Sequence, residues 1–96
     1  MIVGVLQAEI RVDHAECLKD KRRVVRSLKD RLHREHQVSV AEVGAEETIN
    51  LAVLGVTMAG KDGQRVRSVM DRIVDKLRHG RDYYLDAYDV QMIEGR

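Results

Sequence analysis

Polar and apolar positions alternate along residues 2–12. The even positions are apolar or glycine throughout, whereas the odd positions turn polar after Val5. Because successive side chains of a strand point to opposite faces, this pattern predicts a β-strand over 2–12 with its even face against a core. The predicted core positions of this strand are Ile2, Gly4, Leu6, Ala8, Ile10 and Val12.

Two later segments have apolar residues at helical spacing. In the first, a helix predicted over 18–36, one face carries Leu18, Val25, Leu28, Leu32 and His36. The second helix is predicted over 62–78, after a turn at 60–63, and Gly80 marks its end. Its apolar positions are Val66, Val69, Met70, Ile73, Val74 and Leu77.

Three further strands are predicted over 37–43, 48–59 and 83–93. The strand over 48–59 is apolar on both faces, which is typical of a strand covered on both sides. In the last strand, Tyr84, Tyr88, Val90 and Met92 are predicted to share one face, with Tyr83 and Leu85 on the other.

The resulting βαββαβ order predicts a single ferredoxin-like α+β domain over 1–96. Right-handed crossovers place both helices on one face of a four-stranded antiparallel sheet. The other face retains apolar residues, and an exposed apolar face normally marks an interface. We therefore expect a homo-oligomer, in its simplest form a dimer; the alternative is a bent sheet that the long last strand covers.

Composition supports one folded domain. Leu, Ile and Val supply 27 of the 96 residues, which is enough for a core in a chain of this length. The single cysteine excludes an internal disulfide. No apolar run approaches the ~18 residues of a membrane span, and no signal segment precedes the first strand. The expected location is the cytoplasm, without a membrane partner.

The charge is unevenly distributed, although the net charge is only +1. Residues 19–35 have a formal charge of +5, so the rest of the chain has −4. Such segregation indicates a surface for a polyanion better than net charge does. The predicted phosphate-binding residues of the first helix are Lys19, Lys21, Arg22, Arg23, Arg26, Lys29 and Arg34.

A helical wheel arranges the basic residues of this helix into one solvent-facing row, with two exceptions. Lys21 lies on the apolar side with Val25 and Leu28, so it must extend to the surface or find a partner. Arg31 lies on the opposite flank and is left out of the set. The alternative to phosphate binding is a solvated face, partly neutralised by Asp20 and Asp30.

Sequence-specific RNA recognition is not indicated. RNA-recognition-motif proteins share the βαββαβ order, but they stack bases on aromatic residues of their central strands. The first and third strands here contain no aromatic residue. If the protein binds RNA, we expect contacts between the basic helix and the phosphate backbone.

Neither an enzyme nor a metal or cofactor protein is predicted. No serine lies in a nucleophile motif. His33 and His36 are three residues apart on a helix, but a zinc site requires at least three protein ligands and no third is indicated. Cys17, just before the basic helix, is most simply a small, half-buried residue.

Several motifs, in order, resemble the YlxP-like bacterial family, a domain of unknown function. They are the first strand 1–6, the turn 17–22 with Cys17 where the family has serine, the strand 38–43 (VSVAEV) and the LGV at 54–56. The resemblance implies a ferredoxin-like domain and no assigned activity. The family's genes are often found beside those of transcription termination, translation and ribosome-maturation factors, which implies a role near ribosomal RNA.

Together these observations predict a non-enzymatic factor that binds structured RNA or ribosomal particles. Two alternatives remain: an oligomeric protein–protein module whose basic helix binds an acidic partner, and a regulatory domain for a small ligand.

Overall fold

The computed structural model describes residues 1–95 and contains the six predicted elements. They are β1 (Ile2–Arg11), α1 (Leu18–His36), β2 (Ser39–Gly44), β3 (Leu51–Gly60), α2 (Gly63–Arg78) and β4 (Tyr84–Glu94). Every predicted boundary lies within three residues of the observed one. All strand pairs are antiparallel, in the order β2-β3-β1-β4. The prediction of a ferredoxin-like α+β fold is therefore confirmed.

The core lies between the sheet and the two helices. The even face of β1 is buried as predicted from Gly4 onward, whereas Ile2 is only half-buried; Leu6, Ala8 and Ile10 are fully inaccessible to solvent. Helix α1 packs on β2 and β3, whereas α2 packs on β1, β3 and β4. The predicted apolar residues of α2 are all buried. Neither helix within residues 1–95 is long and apolar enough to span a membrane.

Two glycines allow α2 to approach the sheet closely at its first turn. A Cβ atom on Gly4 would lie 2.7 Å from Cγ1 of Val66, and one on Gly60 would lie 2.7 Å from Cγ2 of the same valine. Asp62 begins the helix, since its side chain accepts a hydrogen bond of 3.0 Å from the backbone N–H of Gln64. The predicted turn at 60–63 thus forms an N-capped helix start.

A bulge in β4 contradicts the predicted faces of its aromatic residues. Ala87 pairs with Glu9, but Leu85 pairs with Ile10, so Asp86 is the extra residue. The bulge reverses the alternation, and Leu85 packs against the core on the same side as Tyr88. Tyr84 lies on the other face beside Arg11, whose guanidinium carbon is 5.0 Å from the ring centroid. The prediction that Tyr84 and Tyr88 share a face is wrong.

The sheet face opposite the helices retains apolar residues. Val3, Val5 and Val53 are half-buried there, while Val43 is 53% and Ile93 48% exposed. Strand β4 runs alongside β1 from Tyr84 to Glu94 and does not fold over this face. We call this surface the open sheet face.

Candidate nucleic-acid interface

Helix α1 is fixed at both ends and along one side. Val25, Leu28 and Leu32 bury its inner face. At its start the Cys17 side chain makes no capping hydrogen bond; Oδ2 of Asp20 instead accepts one of 3.0 Å from the backbone N–H of Glu16. This hydrogen bond holds the pKa of the Asp20 carboxyl below its usual value. The helix is thus a rigid support for its outer side chains.

The outer face of α1 carries an excess of positive charge that no salt bridge engages within residues 1–95. Among residues 1–95, none of the six cationic side chains predicted there forms a salt bridge. Asp20 and Asp30 form no salt bridge with them, although the charge of Arg23 contributes to the lowered pKa of Asp20, so a solvated face remains an alternative to phosphate binding. All are exposed except Lys29, which is half-buried. We call this set the α1 stripe: Lys19, Arg22, Arg23, Arg26, Lys29 and Arg34.

A depression of about 820 Å³ lies over this face, above Ser27 and Asp30. Its lining comes entirely from α1 and, apart from Ser27 and Asp30, consists of long side chains with several rotatable bonds. A small-molecule site is normally a preformed cleft lined largely by apolar groups. This open, cationic surface better fits an extended anionic partner.

Arg31 is a neighbour of the α1 stripe that the sequence prediction missed. It lines the depression with Arg23 and Arg34, and it also borders a groove beside α2. Conversely, Lys29 does not line the depression. On a helical wheel Arg31 is about 80° from Arg23, which a long arginine side chain can span.

Lys21 must be removed from the predicted phosphate-binding set. Its side chain is 0% exposed, and backbone carbonyls engage its ammonium group, which leaves no donor for a phosphate. Nζ donates hydrogen bonds to the carbonyl oxygens of Ala45, Glu46 and Leu51, at 2.8, 3.1 and 3.1 Å. These bonds use all three donors of the ammonium. The carboxylate of Glu42, with Oε2 3.1 Å from Nζ, adds a charge contact without hydrogen-bond geometry.

The Lys21 ammonium organises the connection between β2 and β3. Ala45 has φ 58°, a left-handed conformation that is costly for a residue with a Cβ atom. Its carbonyl is one of the three that accept from Lys21, which offsets this cost. Next to it, the Asn50 side chain donates hydrogen bonds of 3.0 Å to the carbonyls of Val12 and Ala15. Strand β3 consequently begins at Leu51 rather than at the predicted Thr48.

The two histidines at the end of α1 have separate surroundings. Nδ1 of His33 lies 2.7 Å from the carbonyl oxygen of Val38. Nε2 of His36 is buried without a hydrogen-bond partner. Within residues 1–95, no group of three His, Cys, Asp or Glu side chains is close enough to hold a metal ion. Cys17 is an exposed free thiol rather than the half-buried residue expected.

Comparison with known proteins identifies the family. Residues 3–90 match a family model described as "Protein of unknown function (DUF503)". The chain belongs to this family. The match spans β1 to the middle of β4, and so includes the α1 stripe and the buried Lys21. The predicted membership of a family without assigned activity is confirmed, and no curated protein matches the chain.

Proposed function

We propose that the protein is a non-enzymatic factor that binds the phosphate backbone of structured RNA, free or in ribosomal particles. The binding surface is the α1 stripe, and the supporting observation is its six cationic side chains without an intramolecular salt bridge within residues 1–95. Lysine and arginine on such a surface displace the counterions condensed around a nucleic acid. A cytoplasmic location follows from this proposal.

The dimensions of the α1 stripe suit a double-stranded segment. From residue 19 to residue 34, α1 rises about 22 Å. Phosphates of a duplex follow one another closely enough for about five contacts over such a length. Since the side chains extend from one rigid helix, they start from fixed and regular positions opposite a regular backbone. This favours structured over flexible RNA.

Recognition of bases is not part of the proposal. The open sheet face is the surface on which RNA-recognition-motif proteins stack bases, and β1 and β3 carry no aromatic residue there. Tyr84, the aromatic residue of β4 on that face, is engaged by Arg11. We therefore expect affinity to depend on the duplex shape and to vary little with sequence.

The first experiment measures binding to a hairpin RNA by fluorescence anisotropy at several salt concentrations. With about five phosphate contacts, affinity should fall about 500-fold between about 50 and 200 mM salt. The double variant Arg23→Glu/Arg26→Glu reverses two exposed members of the α1 stripe. It should lose affinity, and its salt slope should fall by about two of the five contacts.

The matched control is Arg65→Glu/Arg67→Glu, which makes the same charge change at exposed positions of α2. It should keep most of the wild-type affinity and salt slope. Equal losses in the two variants would show that only total charge matters and would remove the α1 stripe from the proposal. Absence of wild-type binding at about 50 mM salt would reject RNA as the partner.

We also propose that the open sheet face pairs with a second copy of the chain. Strands of about ten residues in a four-stranded sheet present roughly 600 Å², close to the ~800 Å² that each partner contributes to a standard interface. Its exposed valine and isoleucine, Val43 and Ile93, lie at opposite edges in β2 and β4. Pairing two such faces would bury the exposed apolar side chains at both edges of each sheet.

Light scattering after size-exclusion chromatography tests this dimer. The wild-type protein should have about twice the chain mass of 11.0 kDa. Val43→Lys/Ile93→Lys should convert it to a monomer without loss of fold, because both side chains are exposed in the monomer. Ser68→Lys, on the exposed side of α2, should remain dimeric. A wild-type monomer at all accessible concentrations would contradict the dimer.

A further inference from the structure

A groove of about 680 Å³ lies between the C-terminal parts of α1 and α2. Unlike the depression over the α1 stripe, it is built by three chain segments: both helices and the residues that precede β4. We call it the interhelical groove. Its lining includes Arg31, His36, Arg72, Lys76, Arg81 and Tyr83.

Tyr83 supplies an unused hydrogen-bonding group to this groove. The residue is only 5% exposed, and its hydroxyl has no hydrogen-bond partner among the described residues. A buried hydroxyl without a partner is rare in folded proteins. Burial raises the pKa of Tyr83, with the nearby Arg31 acting against the shift, so the hydroxyl stays protonated and can donate.

The tyrosine ring is held in place by Gly80. A Cβ atom at residue 80 would lie 2.1 Å from Cζ of Tyr83, so only glycine allows the ring to rest there. The ring is therefore positioned by backbone packing before any ligand arrives, and a ligand reaches the buried hydroxyl when the exposed and half-buried arginine side chains of the groove move. A preordered donor lowers the entropy cost of binding.

A second unused polar atom belongs to His36, which lines the same groove. Nε2 of His36 is buried without a partner. Burial, together with the charge of Arg72, lowers the pKa of His36, so the ring is neutral at pH 7. A neutral imidazole can donate from Nε2 in one of its two tautomers.

The charges around the groove favour an anion. Lys76 is paired with Glu35. The three arginines of the lining, Arg31, Arg72 and Arg81, form no salt bridge within residues 1–95. Two carboxylates, Asp75 and Asp82, also border the groove, so a net positive charge remains.

We propose that the interhelical groove binds a phosphate monoester group, with Arg31, Arg72 and Arg81 opposing its charge and Tyr83 donating to one of its oxygens. Arginine matches a tetrahedral oxyanion through paired N–H donors. The same chemistry is found in a small phosphorylated metabolite and at a 5′-phosphorylated RNA end. The site uses none of the α1 stripe residues. Phosphate binding in the groove and RNA binding by the α1 stripe can therefore be tested, and can fail, independently.

The experiment is an NMR titration of the ¹⁵N-labelled protein with inorganic phosphate at constant ionic strength. Saturable shifts are expected at residues around the groove, with a dissociation constant below about 10 mM. Tyr83→Phe should weaken binding at least about tenfold, because it removes a hydrogen bond to a charged ligand. Tyr83→Phe should also keep the wild-type melting temperature without phosphate, since the hydroxyl has no internal partner.

Three further variants separate this site from general charge effects. Arg72→Gln should weaken phosphate binding by at least about tenfold. Tyr88→Phe removes a hydroxyl outside the groove and should bind phosphate as the wild type does. Arg23→Glu/Arg26→Glu should retain phosphate binding even if it no longer binds hairpin RNA. Shifts that do not saturate, or unchanged binding in both Tyr83→Phe and Arg72→Gln, would overturn the proposal.

The source of the phosphate is then resolved by two competitors, a ribonucleoside monophosphate and a hairpin RNA with or without a 5′-phosphate. Stronger binding of the mononucleotide than of inorganic phosphate supports a metabolite site. A preference for the 5′-phosphorylated over the 5′-hydroxyl hairpin, lost in Tyr83→Phe, supports an RNA end. Failure of both to displace inorganic phosphate would overturn the monoester assignment.

Discussion

Lys21→Met should lower the free energy of unfolding by about 3–5 kcal/mol, the range found when one partner of a buried ion pair is removed. Methionine fills a similar volume and leaves no large cavity. The loss arises because three partly buried backbone carbonyls lose their hydrogen-bond donor and the partly buried Glu42 carboxylate loses the opposite charge beside it. Since domains of this size are stable by about 5–15 kcal/mol, a partly unfolded population is expected. Urea denaturation at pH 7 measures the change.

Two comparisons identify the origin of that loss. Lys19→Met removes the same charge from an exposed site two residues earlier and should change stability by less than about 0.5 kcal/mol. Lys21→Met/Glu42→Gln should recover part of the loss, because the unpaired carboxylate is removed as well. The part of the unfolding free energy that is not recovered is the contribution of the hydrogen bonds from Lys21 to the carbonyls of the β2–β3 connection. Equal stability of Lys21→Met and Lys19→Met would contradict the structural role of Lys21.

The burial of Lys21 shows what a helical wheel can predict: the side of the helix on which a residue lies, but not its partners. The wheel places Lys21 in line with Val25 and Leu28, which is where the structure has it. Its partners are carbonyls 24 to 30 residues away, in a connection whose path no local pattern describes. Because only its charge and its place on the basic helix are visible in the sequence, Lys21 is predicted there to bind phosphate.

The faces of the strands were predictable wherever the alternation was unbroken. The even residues of β1 are buried from Gly4 onward, as its pattern indicates. In β4 the alternation is interrupted at Asp86, and no residue type in that segment marks the bulge. The error for Tyr84 follows directly, because one extra residue reverses every face beyond it.

The two candidate sites also differ in how far the sequence could predict them. The α1 stripe lies on one continuous helix, so its spacing is visible in the sequence. The interhelical groove joins Arg31, Arg72 and Tyr83 from three segments, and only packing brings them together. The spacing of these residues in the sequence contains no motif that could have indicated the groove.

Gly4→Ala should destabilise the protein by about 1–3 kcal/mol, as overpacking of a core commonly does. The new Cβ would lie 2.7 Å from Cγ1 of Val66 and 3.1 Å from Cγ of Met70. Both neighbours are fully buried, so α2 must move away from β1 to make room. Replacing glycine in a strand normally gains about 0.5–1 kcal/mol, which the clash must exceed. Urea denaturation gives the net change.

The matched control, Gly55→Ala, lies on the open sheet face. Its Cβ would lie 3.0 Å from Cγ1 of Val43, but that side chain is 53% exposed and can rotate. Gly55→Ala should therefore be neutral or stabilising by about 0.5 kcal/mol. In a double-mutant cycle, Gly4→Ala/Val66→Ala should cost at least about 1 kcal/mol less than the sum of the single changes, because the clashing methyl is gone. Additive losses would mean that Val66 does not limit the approach of α2 to the sheet.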